Sequence, residues 1–520
     1  MEGPGSSPRP EIVVSLPGRS TAEWREEIGK ARRAGADLVE LRLDRLNVSD
    51  LGRLSDIHRR PLLYEWVPAI ATLRSRREGG EGPEEQSHRH RILRQALLDF
   101  PFRYVDLELD RDLGLIEEIQ SLDLPPLDWV VSSHLPNGTP REEIVRRLEK
   151  GWDVGGLPKV VLPATMARCL DELIPLVRGL SGRRMVFHTT GPSGPLLRVL
   201  ASRLGLAWVY ASLPRGGSTA RPETATVEPS QIPVDDLQSH LDQGPEGPWY
   251  AIVGHPLEHT RSPALFRRLC EVHKLPYIMV PLDFQDEEQF RQGLPALAEW
   301  GLWGCNVTLP FKVTAARLAR HQSEEVILSG AANVLVSQPG GKGFRAANTD
   351  LVALRTILHD FVEEGVWDGL RLLLWGQGGA ARAVCAAAVE MGASVDVLGR
   401  SPERVRNFCE DFPPEHVRPL LQAPERPYGL VVNATPVGQR LGLQLEVPLG
   451  RALGRGTLLF DLVYNPVERT LETLARRAGG TYRDGTRLLV LQAAESFRIF
   501  TGVEVSPDVL ERLEQGEVGP

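Results

Sequence analysis

Short apolar runs recur at even intervals through the first half of the chain, at residues 12–16, 39–43, 69–73, 104–109, 129–133, 157–162, 185–188 and 208–212. Runs this short, rich in β-branched and aromatic residues, read as strands rather than buried helices. Stretches with helical apolar spacing lie between most of them, for example 21–34 and 142–150. Strands alternating with crossover helices predict an α/β fold, a (β/α)8 barrel over residues 11–240, after a flexible N-terminus at 1–10. A Gly/Pro-rich run at 241–248 breaks the rhythm and reads as a linker. Beyond it the alternation resumes, with strands at 249–253, 304–308, 371–375, 394–398, 429–433 and 458–463.

Composition adds limits. At 520 residues the chain exceeds the size one core serves, so at least two domains are expected. A net charge of −8 and the lack of a sustained basic block argue against a nucleic-acid partner. The five cysteines (Cys169, Cys270, Cys305, Cys385, Cys409) are scattered, odd in number and without metal-like spacing. They point to a reducing compartment, with neither a disulfide framework nor a metal site. With no run as long as a membrane span and no apolar leader, a cytoplasmic protein with no membrane partner is expected. Both a monomer and a homodimer stay open.

The polar residues within the first set of strands are the candidate chemistry. Glu40 and Arg42 share one strand face, as do Asp106 and Glu108. Arg74 ends the third strand, Glu78 follows in the loop, His134 closes the fifth strand and Lys159 sits in the sixth. Buried charges are costly unless they pair or face a polar site, so any one of these could be a structural ion pair. As a set they favour a site at the C-terminal mouth, with Lys159 attacking a carbonyl to form a Schiff base and His134 moving protons.

The run Glu40-Leu-Arg-Leu-Asp44, the stretch Arg74-Ser-Arg-Arg-Glu78, a histidine after strand five and a lysine in strand six resemble type I 3-dehydroquinate dehydratase. The resemblance implies an imine between Lys159 and 3-dehydroquinate, followed by loss of water to give 3-dehydroshikimate. It implies His134 as general acid/base and Glu78 as the carboxylate working with it. Glu40 and Arg42 resemble substrate-hydroxyl and scaffold positions, and Arg74 a substrate-binding arginine. Gly191-Pro-Ser-Gly-Pro-Leu-Leu-Arg198 resembles the family's glycine loop, with Arg198 holding the substrate carboxylate and Leu197 where a serine is usual. Gln231 resembles a glutamine of a lid, although Val227-Glu-Pro-Ser-Gln231 stands in place of a Ser-Ala-Pro-Gly-Gln type.

In the second half, Thr260 and Ser262 precede a helix opening near Pro263, where hydroxyls could grip an anion. Thr308 and Lys312 flank Pro310 at a strand-to-helix break, and Asn333, Asn348, Thr349 and Asp350 complete a polar set. A cation in a first helical turn opposes the helix dipole, which marks Lys312 for use, and Lys312 with Asp350 is a candidate proton-transfer pair. From Leu370 a buried strand runs into Gly376-Gln-Gly378-Gly379-Ala380, the strand–turn–helix order that cradles a pyrophosphate. The next strand ends without an acid and is followed by Arg400, Ser401 and Arg404, which suits the 2′-phosphate of NADP over NAD. Asn433 and Thr435 follow a later strand whose turn faces the same crevice.

This half resembles shikimate dehydrogenase in several motifs, in family order. The resemblance implies a substrate domain at 249–351 with 486–510, an NADP-binding Rossmann domain at 352–485, and a last helix returning to the first lobe. It implies Thr260 and Ser262 on the substrate carboxylate, and Thr308, Asn333, Asp350, Tyr464 and Gln492 on ring hydroxyls or carboxylate. Together the two resemblances predict a bifunctional enzyme that dehydrates 3-dehydroquinate and reduces the product with NADPH. Two alternatives stay open: an active dehydrogenase carrying the barrel as a structural or regulatory module, and NAD-linked oxidation of quinate or shikimate.

Overall fold

The computed structural model describes residues 9–57, 67–214, 228–257, 260–340, 342–422, 424–439 and 448–516. Most of the expected flexible N-terminus, and Val227, lie outside the described residues. The chain divides into two compact units, Met1–Trp249 with Leu275–Asp283, and Tyr250–Lys274 with Phe284–Pro520.

The first unit is built on β1 (Glu11–Ser15), β2 (Leu38–Arg42), β3 (Ala69–Thr72), β4 (Tyr104–Glu108), β5 (Asp128–His134), β6 (Leu157–Pro163), β7 (Val186–Thr190), β8 (Trp208–Ser212) and the short β9 (Ile232–Pro233). Strand order is β7-β6-β5-β4-β3-β2-β1-β8-β9. Because β1 pairs in parallel with β8 as well as with β2, the sheet curls on itself. Ala207 N donating to Met185 O at 2.8 Å links the β7 and β8 ends. This is the (β/α)8 barrel expected from the apolar rhythm. Its helices carry local start signals: Thr21–Arg33 opens on a capping box between Ser20 and Glu23. One layer of the interior is apolar, with Val13, Leu38, Ile70, Val130, Val186, Trp208 and Tyr210 packed together. The layer toward the C-terminal ends is ionic instead.

Two sheets follow. The first contains β10 (Trp249–Gly254), β11 (Met279–Asp283), β12 (Leu302–Val307), β13 (Ala319–Gln322), β14 (Val334–Ser337) and β15 (Phe344–Ala347), in the order β11-β10-β12-β14-β15-β13. It is mixed, with β14 antiparallel to both β12 and β15. The second contains β16 (Arg371–Trp375), β17 (Ser394–Leu398), β18 (Val417–Pro419), β19 (Leu430–Asn433), β20 (Leu458–Asp461) and β21 (Thr481–Arg483). Its order, β18-β17-β16-β19-β20-β21, is that of a doubly wound dinucleotide fold, whose ligand crevice opens where the order reverses between β16 and β19. Both faces of this sheet are covered by apolar clusters, which is why its strands read as continuous hydrophobic runs. The helix Thr486–Thr501, stopped by Gly502 in a left-handed conformation, packs Phe500 and Phe497 against Tyr250 and Phe266 at ring-centroid distances of 5.0 and 5.7 Å.

Candidate functional site

In the barrel, the ionisable residues of separate strands converge around Lys159. Its Nζ donates to Tyr210 Oη at 2.9 Å, Asp106 Oδ2 at 3.0 Å and Glu40 Oε1 at 3.4 Å. Glu40 also accepts from Thr72 Oγ1 at 3.0 Å and from Ser15 Oγ. Burial pushes the Asp106 carboxyl up, but Arg74 and Lys159 outweigh it and hold the group well below the usual carboxylate range. Glu40 is lowered in the same way, Lys159 and Arg42 overcoming its burial. Three acceptors, two carboxylates and a phenol, thus fix the position of the Lys159 head group in the barrel interior.

The β5–β6 register sets Ser132 beside Lys159, which leaves His134 two residues nearer the mouth. Glu78 Oε2 lies 2.9 Å from His134 Nδ1 and also accepts from the His134 backbone N–H at 3.2 Å. Burial, with Arg74 and Lys159 nearby, drives the imidazole well below its ordinary value, so the ring is neutral. Burial raises the Glu78 carboxyl, more than Arg74 lowers it. A neutral imidazole oriented through Nδ1 by a carboxylate keeps Nε2 for proton transfer.

The arginines are more committed than their sequence positions suggest. Arg74 donates to Glu78 at 2.8 Å, Ser132 at 2.9 Å and Asp106 at 3.0 Å, which makes it the hub of the network. Arg42 forms two 2.8 Å bonds to Asp44, whose carboxylate also accepts from the backbone of Arg74 and Glu81. Both therefore brace the strand ends. Arg198 is buried in the helix Gly194–Val199, and its Nη2 meets the carboxylate of Glu228 at 3.1 Å. Gln231 lies in the same turn, its Oε1 buried without a hydrogen-bond partner among the described residues. Leu197 is core.

Tyr210 escaped the sequence reading, as did Asp106 as a partner of the lysine. A signal existed for the first: Trp208, Tyr210 and Ser212 alternate onto one strand face, so a phenol belonged with the interior.

In the second unit a cavity of about 380 Å³ gathers the polar set: Thr260, Ser262, Thr308, Lys312, Asn333, Asp350, Tyr464 and Gln492 all line it. Lys312, at the start of the helix Lys312–Leu318, donates to Asp350 Oδ2 at 2.6 Å. Asn333 Nδ2 holds the other oxygen of Asp350 at 2.9 Å, and its own Oδ1 accepts from the Thr349 N–H at 2.8 Å. The carboxylate is thus oriented from two sides, and Lys312 and Asp350 both line the cavity. Gly378, Ala380 and Thr435 line the same cavity, so the glycine turn and the lysine pair share one space.

The turn fits a dinucleotide. At Gly376 (φ +128°) a Cβ would meet Ala434 O at 2.8 Å, and at Gly379 it would meet Lys312 Cβ at 2.6 Å, so neither position admits a side chain. Gly378, between them, opens on empty space at the N-terminus of the helix Gly379–Glu390, whose first N–H groups are available to an anion. Arg400 and Arg404 are exposed beyond β17, and Ser401 Oγ caps the following helix through the Arg404 N–H at 3.3 Å. Asn433 is fully buried; it binds Asp461 at 2.8 Å and accepts from the Thr435 N–H at 3.0 Å, so its side chain orders the Thr435 turn instead of lining the crevice.

Fold and sites together define a two-part enzyme: a barrel with a charged, lysine-centred interior joined to a dinucleotide-dependent oxidoreductase. Comparison with known proteins agrees. Residues 12–244 match the model of type I 3-dehydroquinase, and residues 252–335 that of the shikimate dehydrogenase substrate binding domain. The chain is 36% identical to the shikimate dehydrogenase (NADP(+)) of Paracidovorax citrulli, over 51% of this chain and 95% of that one. It is 26% identical to the bifunctional 3-dehydroquinate dehydratase/shikimate dehydrogenase of Arabidopsis thaliana, over 92% of this chain and 79% of the relative. The structure of the dehydroquinate dehydratase and shikimate dehydrogenase from S. pombe covers 98% of both chains at 21% identity and a TM-score of 0.40. The chain belongs to the shikimate dehydrogenase family through its second half and carries a type I 3-dehydroquinase region in its first, a bifunctional architecture. Among the described residues no helix is long and apolar enough to cross a membrane.

Proposed function

We propose that residues 11–240 dehydrate 3-dehydroquinate through an imine at Lys159, and that the second half reduces the resulting 3-dehydroshikimate to shikimate with NADPH. In this reading 241–248 is the linker, 249–351 with 486–510 the substrate lobe and 352–485 the NADP lobe. The observation that carries it is the pairing, in one chain, of a lysine locked between Glu40 and Asp106 with a lysine–aspartate pair lining the same cavity as a dinucleotide turn.

In the barrel, Lys159 Nζ adds to the C3 carbonyl carbon; the C–O bond breaks and water leaves, giving the imine. His134 Nε2 then takes the C2 proton, and the electron pair moves into the enamine. As the C1–oxygen bond breaks, the imidazolium returns its proton to the departing hydroxyl, so a second water leaves. Hydrolysis of the imine then restores the ketone and the amine. Arg198 would hold the carboxylate, a match for a planar guanidinium, with Gln231 beside it. Glu40 and Arg74 would keep the lysine and the imidazole aligned.

In the second unit Thr260 and Ser262 would bind the carboxylate, with Thr308, Asn333, Tyr464 and Gln492 on the hydroxyls. NADPH would supply hydride to the C3 carbonyl carbon. Lys312 would donate the proton to the developing alkoxide, with Asp350 orienting and recharging it. Gly376, Gly378, Gly379 and Ala380 would approach the pyrophosphate, and Arg400, Ser401 and Arg404 the 2′-phosphate.

The test is to supply 3-dehydroquinate with NADPH and follow shikimate. Lys159→Ala should leave reduction of added 3-dehydroshikimate intact, whereas Lys312→Ala should let that intermediate accumulate. Borohydride should trap 3-dehydroquinate on Lys159. One observation favours a catalytically silent barrel, the occupation of Arg198 by Glu228, and absence of any borohydride adduct would select that reading.

A further inference from the structure

The carboxylate already seated on Arg198 belongs to the chain itself. We propose that Glu228 is an internal occupant of the substrate-carboxylate position in the barrel and thereby sets the affinity of that site for its anionic substrate. The inference rests on the reading above, in which Arg198 receives that carboxylate.

The geometry leaves one nitrogen in play. Arg198 Nε donates to Tyr210 O at 3.0 Å, and Nη1 to Gly194 O at 2.7 Å and to Ser230 Oγ at 3.1 Å. Nη2 is the nitrogen left for an anion, and it is bound to Glu228 Oε2 at 3.1 Å. The two partners differ in access: the Arg198 side chain is 3% exposed, that of Glu228 25%. The guanidinium is therefore fixed in the interior, while the carboxylate sits on its outer side, able to return to water. Burial draws Arg198 below its ordinary value and Glu228 alone counters this, so the arginine depends on having a carboxylate partner.

Glu228 is also shaped for the position by its own turn. Its Oε1 accepts from the Ser230 N–H at 3.1 Å, its carbonyl accepts from the Gln231 N–H at 3.1 Å, and Ser230 Oγ donates to the same oxygen that meets Arg198. The turn rests on Gly194, where a Cβ would come within 2.1 Å of Ser230 Oγ. Substrate binding is then an exchange of one carboxylate for another on Arg198 Nη2. A site filled by an internal competitor has its apparent Kd raised in inverse proportion to the fraction of time it is free. Glu228 costs affinity in this way and in return keeps the buried arginine neutralised between turnovers.

The full chain with Glu228→Ala and Glu228→Gln tests this by dehydration kinetics with 3-dehydroquinate and by borohydride trapping at matched concentrations. The expected result is a fall in KM of about three- to tenfold in both variants. Adduct formation in the wild type with KM unchanged or raised in the variants overturns the inference and leaves the dehydratase reading standing. An adduct formed by the variants but not by the wild type supports the inference strongly. No adduct in any of the three, at any concentration, overturns both.

Discussion

The barrel interior and the cavity of the second unit use the same residue types in opposite ways. In the barrel, Glu40, Arg74, Asp106, Glu108 and Lys159 are all at most 4% exposed and form ion pairs with one another from three strands and the loop after β3. In the second unit Lys312 and Asp350 form a single pair on the wall of an open cavity, their side chains 15% and 9% exposed. Where charges are buried as a network, balance is a condition of folding as well as of chemistry. Where one pair borders a cavity, chemistry can be removed with the fold left standing.

The largest consequence falls on Lys159. Lys159→Ala should abolish the borohydride adduct and, by removing the cation between Glu40 and Asp106, lower the stability of the first unit by about 3–5 kcal/mol in denaturant unfolding. Lys159→Arg should lose the adduct but recover most of that stability, because the charge stays. An alanine variant as stable as wild type would break the comparison at its root.

Lys312→Ala should slow reduction of 3-dehydroshikimate by about 10²- to 10⁴-fold, read as NADPH oxidation, while stability changes by less than about 1 kcal/mol. Equal losses of stability in the two lysine variants would erase the contrast.

Two titrations sharpen it with opposite signs. Burial lowers His240, in the helix Val234–Leu241 of the first unit, to about 4. The unfolded chain protonates this group at higher pH, near 6.5, so its contribution is complete above that value and is lost as pH falls toward about 4. His240→Gln should therefore cost less stability at pH 4 than at pH 7. Burial raises Asp461, in the second unit, to about 6. Its contribution is present below the unfolded value near 3.8 and is lost as pH rises through about 6. Asp461→Asn should stabilise the second unit by about 2 kcal/mol at pH 7 and by much less at pH 4, measured by thermal unfolding.

The smallest effect is on cofactor choice. Arg400→Ala should raise KM for NADPH about tenfold and leave KM for NADH nearly unchanged, since only the former carries the phosphate. A parallel change in both would place that arginine outside the cofactor site.

How far the sequence could be read follows from the range of each interaction. The eight barrel strands, six strands of the second half and the turn from Gly376 to Ala380 were legible because apolar period and glycine turns act within a few residues, whereas β11, β13, β14, β15, β18 and β21 were not. Lys312 and Asp350 were readable as partners because each opens a helix next to a strand end. Asn433 was read as a cofactor contact from its place after a strand, whereas its amide turns inward to Asp461, a partner 28 residues away. Arg42 and Arg74 looked like ligand arms, since a charge at a strand end looks the same whether its partner is a substrate or Asp44 and Asp106.

By itself the sequence determined which segments become the barrel strands, which turn admits a dinucleotide and which residue types can perform each reaction. Those are properties of local periodicity and of side-chain chemistry. Only the tertiary structure decided that the Tyr210 phenol meets Lys159 across 51 residues of chain, and that Glu228 fills the arginine 30 residues before it. The first pairing depends on barrel closure, which brings distant strands within hydrogen-bonding range in the buried interior, and the second on the turn at residues 228–231 resting against Gly194. In such a space each buried charge must find its partner among whatever side chains the fold delivers.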